Sequence, residues 1–453
     1  MRTTSALNPK LLLAGWLGSC LMATAADPTY WAWAQTPPMG WNSWDGFATT
    51  VTEAQTRAQA DVMKAKLAAH GWNLITVDIQ WYEPNATGFD YHQGAKLEMD
   101  EHGRLLPASN KFPSAANGQG FKPLADYVHS LGLKFGLHLM RGIPRQAVAA
   151  KTPIQGTSYT SADVADTNSV CQWNTDMYGV DMTKAGAQEY YDSVFELFAS
   201  WGLDFVKVDD LSRPYHQPEI EAIRKAIDRT GRPIVFSTSP GATPLSAGDH
   251  VSTHANMWRI SDDFWDKWSL LHEQFDRLRN WTPYRAPGHW PDADMLPIGV
   301  LQMGKAKTHF KPDEQFTLLT LWSIARSPLI LGADLTKLDD FTLAVITNDE
   351  VIAVDQASAN NRELFRHDGF YGWVADMPGS ADKYLALFNT RDLPAGGTEA
   401  SVAVPVKLSE LGFPDAGRIR NLWTHEDLGA FTNEFAPQIN FHGAGLYRTS
   451  PVR

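Results

Sequence analysis

The chain has 453 residues, of which 43% are hydrophobic and 20% are charged, and its formal net charge is -12. This composition is typical of a globular protein with a large core, and it excludes disordered and collagen-like chains. The acidic balance, without any cluster of Lys and Arg, argues against nucleic acid as a partner.

The N-terminus has the pattern of an export signal. Arg2 and Lys10 precede an apolar stretch over residues 11–22, which is followed by Ala23-Thr24-Ala25-Ala26. A basic segment, a short apolar core and small residues predict a signal peptide over residues 1–25. The apolar stretch is too short to favour a membrane span, and no other run approaches that length. We therefore expect a secreted or periplasmic protein without a transmembrane segment.

The chain has two cysteines, Cys20 and Cys171. Leu17-Gly18-Ser19-Cys20 loosely resembles a bacterial lipobox, so lipid attachment at Cys20 is an alternative to simple cleavage. If the signal peptide is removed, Cys171 is the only cysteine left, and an intrachain disulfide is then impossible.

Most of the chain alternates between strand-like and helix-like stretches. Helical spacing is expected over 52–70, 121–131, 189–201, 219–230 and 315–325. The candidate strands are 39–44, 72–78, 133–140, 203–210, 233–237, 257–260, 290–295 and 328–332. Eight strands alternating with helices predict an α/β fold, a (β/α)8 TIM barrel over residues 26–356. A polar stretch over 141–183 is long for a barrel loop, and we expect it to lie over the active face.

The pattern changes after about residue 357. Short β-type runs separated by Gly, Pro and Asp occupy 370–373, 383–388, 401–406, 418–422 and 445–448. No helical period intervenes, which predicts a C-terminal antiparallel β-sandwich domain over residues 357–453.

Charged and aromatic side chains stand at or just beyond the ends of the predicted barrel strands. In a TIM barrel the C-terminal strand ends meet at one face, where active sites lie. The residues at these ends are Trp44, Asp78, His138, Lys207, Asp209, Arg259, Asp263 and Asp294. The sequence has no His-x-His pair, no CxxC and no glycine-rich phosphate loop, so we expect neither a metal nor an organic cofactor.

Paired carboxyl groups with neighbouring cations suit glycoside hydrolysis. One ionised carboxylate attacks or stabilises the sugar carbon, while a second carboxyl group protonates the leaving oxygen. Lys207 lies two residues before Asp209, on the same side of a strand, where its charge would keep Asp209 ionised. Arg259 could pair with Asp263 or hold sugar hydroxyls. Spacing alone does not identify the sugar.

These motifs resemble glycoside hydrolase family 27, the α-galactosidase family of retaining α-glycosidases. The matching segments are the opening Thr-Pro-Pro-Met-Gly-Trp-Asn-Ser-Trp at 36–44, Lys-Val-Asp at 207–209, Trp-Arg-x-x-x-Asp at 258–263, Trp-Pro-Asp-Ala-Asp-Met-Leu at 290–296, and 348–356. The resemblance implies a (β/α)8 barrel with a C-terminal antiparallel β domain. It also implies that Asp209 is the nucleophile and that Asp263, rather than Asp262, is the acid/base.

The sequence departs from the family pattern around the sugar. The second strand of the family usually ends in two aspartates, whereas here the pair is Asp78-Ile79. The fifth strand has Ser239 within Thr-Ser-Pro, where α-galactosidases place Cys-Glu-Trp, and His138 takes the place of a usual Tyr. A site that hydrogen-bonds a hydroxyl discriminates strongly, so these changes can alter the preferred substrate.

We therefore expect a secreted retaining exo-α-galactosidase that removes terminal α-D-galactosyl residues from oligosaccharides or polysaccharides. The alternatives are a β-L-arabinopyranosidase, an isomaltodextranase, an α-N-acetylgalactosaminidase, or a carbohydrate-binding protein that has lost catalysis. The residues expected to bind the sugar are Trp44, Asp78, Ile79, His138, Lys207, Ser239, Arg259 and Asp294. Trp81 could contact the sugar or simply pack in the core, and Asp210 and Asp262 are expected to cap helices or to support the site.

Overall fold

The computed structural model describes Met1 and residues 27–394 and 400–452. The predicted signal peptide beyond Met1, including Cys20, lies outside the described residues. In the described part of the chain, no helix is both long enough and apolar enough to cross a membrane.

Eight parallel strands form one curled sheet. They are β1 (Met39–Asn42), β2 (Leu74–Val77), β3 (Lys134–Met140), β4 (Phe205–Asp209), β5 (Val235–Thr238), β6 (Met257–Arg259), β7 (Trp290–Asp292) and β8 (Leu329–Leu331). Their order in the sheet is β7-β6-β5-β4-β3-β2-β1-β8. Leu296, just after β7, pairs in parallel with Leu331 of β8 and closes the sheet. The predicted (β/α)8 barrel is therefore confirmed.

Helices follow the strands and cover the outside of the barrel. They are α1 (Glu53–Val62), α2 (Lys122–Ser130), α3 (Ala187–Ser200), α4 (Gln217–Arg229), α5 (Gly248–Ser252), α6 (Trp268–Trp281), α7 (Pro312–Ala325), α8 (Asp340–Ile346) and α9 (Asp349–Ala357). Further short helices occupy Trp44–Phe47, Arg145–Ala150 and Ser161–Val164. The expected helix over 52–70 is α-helical only as far as Val62, because Met63–Leu67 adopts the wider π-helical form. Thr52 and Gln55 start α1 with reciprocal side chain to backbone hydrogen bonds.

The polar stretch after β3 contains a small antiparallel sheet of its own. Its three strands are Ile143–Pro144, Ala165–Val170 and Met177–Val180, with the last in the middle. The sequence pattern did not indicate a strand here, because the strand Ala165–Val170 is polar and exposed or half-buried. The turn between the second and third strands places Trp173 beside the barrel mouth.

The C-terminal region forms a six-stranded antiparallel sheet. Its strands are β9 (Ala359–His367), β10 (Phe370–Asp376), β11 (Lys383–Asn389), β12 (Ala416–Asn421), β13 (Glu426–Thr432) and β14 (Gly443–Pro451), in the order β9-β10-β11-β14-β12-β13. Two short antiparallel pairs lie over one face, Ser401–Ala403 with Gln438–Asn440 and Val406–Lys407 with Glu434–Phe435. The expected antiparallel β fold is confirmed, although the sequence did not indicate β9 or β13.

Side chains of the C-terminal sheet alternate between two cores, as the period of a strand requires. In β10, Phe370 and Val374 pack into the core of the C-terminal domain. Tyr371 and Trp373 point to the other face and join the core of the barrel. The sheet is thus buried on both faces along its central strands.

Candidate active site

A cavity of about 870 Å³ opens at the C-terminal ends of the barrel strands. Polar and aromatic residues from most of the strands line it. Eight of the ten predicted site residues are among them: Trp44, Asp78, Ile79, Lys207, Asp209, Arg259, Asp263 and Asp294. The strand ends therefore bring together residues that are far apart in the sequence, including both predicted catalytic carboxyl groups.

Asp209 ends β4, and its side chain is only 7% exposed. Lys207 Nζ lies 3.9 Å from Asp209 Oδ1, and His138 Nε2 lies 2.9 Å from Asp209 Oδ2. Burial alone would raise the pKa of Asp209, but Lys207 and His138 lower it by more, so the net shift is well below the usual range. Asp209 is therefore a carboxylate at neutral pH, as a nucleophile must be.

Asp78 is held in one orientation at the end of β2. Its Oδ2 accepts hydrogen bonds from Asn42 Nδ2 at 2.6 Å and from Lys207 Nζ at 3.0 Å. The backbone N–H of Ile79 donates to Asp78 Oδ1 at 2.9 Å. Lys207 thus lies between two carboxylates. Burial lowers the pKa of Lys207, but Asp209 and Asp78 raise it to above its ordinary value.

Arg259 joins two further carboxyl groups on the opposite side of the cavity. Its Nη2 lies 2.9 Å from Asp294 Oδ2 and 3.2 Å from Asp263 Oδ1. The backbone N–H of Phe264 also donates to Asp294 Oδ2, at 2.8 Å. Asp263 is 59% exposed while Asp294 is 8% exposed, so Asp263 is the more accessible of the two to solvent.

The net pKa shifts of Asp294 and Asp292, two buried aspartates near Arg259, are in the direction opposite to that of Asp209. Burial, only partly offset by Arg259, raises the pKa of Asp294. Behind it, burial and the negative charge of Asp294 raise the pKa of Asp292 to about 7. The cavity therefore contains carboxyl groups held ionised beside others that bind protons more readily, which is the condition for acid–base work.

Two of the residues predicted to contact the sugar, His138 and Ser239, lie beneath the cavity and do not line it. His138 is fully buried in β3 and contacts Asp209. Ser239 is buried and lies within 3.5 Å of Arg259 Nη1. Their predicted contact with the sugar stays a prediction, since their present contacts are with Asp209 and Arg259. Trp81 lies in the core, where its indole N–H donates to the carbonyl of His138 at 2.8 Å.

The two aspartates expected to cap helices or to support the site form ion pairs at the cavity edge. Asp210 binds the buried Arg141 at 2.7 Å, and Arg141 also contacts Glu219 at 2.6 Å. Asp262 is exposed and pairs with Arg213 at 2.5 Å. Neither carboxylate is free to approach a substrate without breaking such a pair.

The sequence did not single out an aromatic rim around the opening. Phe89, Tyr91, Trp173 and Trp265 line the cavity with Trp44. Trp44 stacks on Tyr91 with ring centroids 6.0 Å apart, and Tyr91 contacts Trp173 at 5.4 Å. These residues come from loops without periodicity, so the only available signal was the high aromatic content. Flat apolar faces beside polar groups suit the binding of sugars or other ring compounds.

One group of possible metal ligands lies away from the cavity. Ligand atoms of Glu221, His250 and His254 lie within 4.8 Å of one another in the described chain. His250 already contacts Glu221 at 3.1 Å and the Tyr215 hydroxyl at 2.6 Å. These hydrogen bonds account for the proximity without an ion. Sequence spacing did not reveal the group, because Glu221 belongs to α4 and the histidines follow β5.

The fold and the paired carboxyl groups define a glycoside hydrolase, and comparisons with known proteins identify its family. The protein-family model described as alpha galactosidase A matches residues 36–185 and 181–357. A second family model, for the alpha galactosidase C-terminal beta sandwich domain, matches residues 369–449. The chain belongs to glycoside hydrolase family 27. This family membership supports an enzyme and not a non-catalytic carbohydrate-binding protein.

Relatives within the family differ in the activity that they are named for. A β-L-arabinopyranosidase from Geobacillus stearothermophilus is 48% identical, with a TM-score of 0.90 over 94% of this chain and 99% of that one. A Bacillus halodurans protein, provisionally described as an α-N-acetylgalactosaminidase, is 44% identical, with a TM-score of 0.82 over 92% and 97%. An α-galactosidase from Cyamopsis tetragonoloba is 28% identical over 92% of this chain and 87% of its own length.

Proposed function

We propose that the protein is a retaining exo-glycosidase that releases terminal β-L-arabinopyranosyl residues. The observation that carries this proposal is Ile79, a buried apolar side chain lining the cavity beside Asp78. β-L-Arabinopyranose resembles α-D-galactopyranose without its hydroxymethyl group. An apolar wall in place of a carboxylate favours the sugar that has one hydroxyl fewer to bind. The Geobacillus stearothermophilus β-L-arabinopyranosidase, at 48% identity, supports the same substrate.

In the proposed mechanism, Asp209 attacks the anomeric carbon and Asp263 donates a proton to the leaving oxygen. Asp263 then removes a proton from water, which attacks the same carbon and releases the sugar and Asp209. The positions of Lys207 and His138 support the nucleophile role, since they keep Asp209 ionised. The exposure of Asp263 supports the acid/base role, since its proton must return from solvent.

Terminal α-D-galactoside is the second candidate substrate. Asp78 keeps one of the two aspartates of the family pattern, and the curated relatives that cover most of this chain, at 26–28% identity, are named as α-galactosidases. An α-N-acetylgalactosaminide is a further candidate because of the 44% identical Bacillus halodurans protein. The arabinopyranoside stays our first candidate, supported by the 48% identity to the Geobacillus stearothermophilus enzyme.

The N-terminal pattern also leads us to propose export from the cytoplasm. The test is to express the full chain in a bacterial host, recover it from the periplasm or medium, and sequence its N-terminus. A new N-terminus after Ala25 is the expected result, whereas an intact Met1 in the cytoplasmic fraction contradicts export.

The substrate proposal is tested with p-nitrophenyl β-L-arabinopyranoside, α-D-galactoside and α-N-acetylgalactosaminide. We expect the wild-type enzyme to have its highest kcat/KM on the arabinopyranoside. Ile79→Asp adds a hydrogen-bonding group, and we expect it to shift the galactoside-to-arabinopyranoside ratio of kcat/KM by about 10- to 100-fold toward galactoside.

Ile79→Leu is the matched control, because it keeps an apolar wall of similar volume and is expected to leave the ratio nearly unchanged. Asp209→Ala measures the background without the nucleophile. A wild-type enzyme that prefers the galactoside would overturn the arabinopyranoside assignment.

A further inference from the structure

Asp45 is a cavity residue that sequence reasoning did not single out. It follows Trp44 in the short helix Trp44–Phe47 after β1, and it lines the cavity although it is only 3% exposed. Asp45 Oδ2 has no hydrogen-bond partner among the described residues. A buried polar atom without a partner costs free energy, so such atoms in native sites call for a physical reason.

The structure makes room for this carboxyl group. Asp45 Oδ2 packs against Gly332, which directly follows β8, and a side chain at Gly332 would collide with that oxygen. Burial, and next the negative charge of Asp294, raise the pKa of Asp45 well above its usual range, against the smaller opposite effect of Lys207. Asp45 therefore binds a proton more readily than an ordinary aspartate, and in its protonated form it can both donate and accept a hydrogen bond.

The position of Asp45 in the barrel indicates which part of a bound sugar it would face. β1 and β8 are neighbours in the sheet, and three strands separate β8 from β4 on the β1 side. In a closed eight-stranded barrel, β4 and β8 are therefore on opposite sides. In a sugar whose anomeric carbon contacts Asp209 on β4, the far side of the pyranose ring would lie toward Asp45 and Gly332.

We propose that Asp45 hydrogen-bonds the ring hydroxyls farthest from the anomeric carbon, those on C3 and C4 of the terminal sugar. The proposal rests on the glycosidase function proposed above and adds a specificity residue to it. Asp45 and Ile79 then have separate effects. Ile79 separates sugars with and without a hydroxymethyl group, whereas Asp45 binds hydroxyls that β-L-arabinopyranose and α-D-galactopyranose share.

The test compares the aryl glycoside that the wild-type enzyme hydrolyses best with its 3-deoxy and 4-deoxy analogues. Asp45→Ala is expected to lower kcat/KM on the parent glycoside by about 10- to 100-fold, because the hydroxyl loses its partner. On the analogue that lacks the bound hydroxyl, the same variant is expected to lose less than about threefold. Equal losses on the parent and on both analogues would overturn the proposal.

Asp45→Asn is the matched variant, because it keeps the size of the side chain and a neutral donor and acceptor. We expect it to retain more kcat/KM on the parent than Asp45→Ala. If Asp45→Ala does not fold, as thermal unfolding would reveal, Asp45→Asn decides: unequal effects on parent and deoxy substrates support the contact, and equal effects contradict it. A preference of the wild-type enzyme for galactoside would overturn the proposed substrate but leave this comparison valid.

Discussion

Asp209 and Asp45 are both buried carboxyl groups of the same cavity, but the pKa of Asp209 is lowered whereas that of Asp45 is raised. Lys207 and His138 contact Asp209 and lower its pKa, whereas Asp45 has other carboxyl groups around it and only a smaller effect from Lys207. Burial acts in the same direction on both, so the position of the cations decides the outcome. The same cavity thus contains a charged nucleophile and a carboxyl group that binds a proton more readily than usual.

Lys207 gives a prediction for the pH dependence of catalysis. Lys207→Met removes the positive charge 3.9 Å from Asp209, and the pKa of Asp209 then rises, because burial is no longer offset by this cation. The nucleophile is lost as the pH falls through this pKa. We therefore expect the acid limb of the profile of kcat/KM against pH to move to higher pH.

Lys207→Arg is the control for this experiment, since it keeps the charge but changes the shape of the cation. Its acid limb is expected to stay closer to that of the wild-type enzyme, even if kcat falls. An unchanged acid limb in Lys207→Met would mean that Lys207 does not set the ionisation of Asp209.

At the scale of elements, strand ends were predictable and loops were not. Buried parallel strands are short apolar runs, so their ends were found from the sequence, and Asp78, Lys207 and Asp294, which stand at or just beyond those ends, line the cavity. The barrel rim is built differently. Tyr91 and Trp173 come into contact because two loops fold over the opening, and loops have no periodic sequence pattern from which such a contact could be predicted.

Asp45 was missed for a related reason. It stands one residue beyond the aromatic end of β1, where an aspartate in the first turn of a helix is ordinary. Its importance depends on the neighbouring Gly332, which is far away in the sequence. For His138 and Ser239 the sequence predicted the strands correctly but not the depth of the side chains. Both side chains are buried beneath the cavity, which depends on packing that the sequence pattern does not show.

The polar stretch after β3, residues 141–183, is an insertion at the cavity mouth, and it leads to a prediction about the leaving group. Trp173 is 41% exposed at the cavity mouth and contacts Tyr91, so it is available to pack against the group that leaves with the glycosidic oxygen. Trp173→Ala is expected to raise KM by about 3- to 10-fold for glycosides with a sugar leaving group, since a lost aromatic contact costs about 1 kcal/mol. Steady-state kinetics on disaccharides measure this.

Tyr159 provides the comparison within the same insertion. It is also an exposed aromatic residue, at 40%, but it is not among the residues that line the cavity. Tyr159→Ala is expected to leave KM unchanged. Equal effects of the two substitutions would indicate a general loosening of the insertion instead of a contact at Trp173.

At the scale of the whole molecule, the C-terminal sheet packs directly against the barrel, and side chains from both parts share one core. Phe275 of α6 is fully buried, and its ring centroid lies 4.7 Å from that of Tyr371 and 4.9 Å from that of Phe388. Trp268, at the start of α6, stacks on His442 at 3.7 Å. Because the sheet contributes to two cores, loss of the interface affects both parts of the chain.

Because of this packing, we expect a substitution at the interface to lower the free energy of unfolding without lowering the catalytic activity. Phe275→Ala leaves a cavity at the interface and is expected to lower the free energy of unfolding by about 3–5 kcal/mol. Phe275 is absent from the residues lining the active-site cavity, so kcat/KM at low temperature should not change.

Phe341→Ala is the control, at an exposed aromatic residue of α8, and it should change the free energy of unfolding by no more than about 0.5 kcal/mol. Thermal and denaturant unfolding measure both variants. If Phe275→Ala unfolds like the wild-type protein, the contact between barrel and sheet contributes little and the two domains are energetically independent.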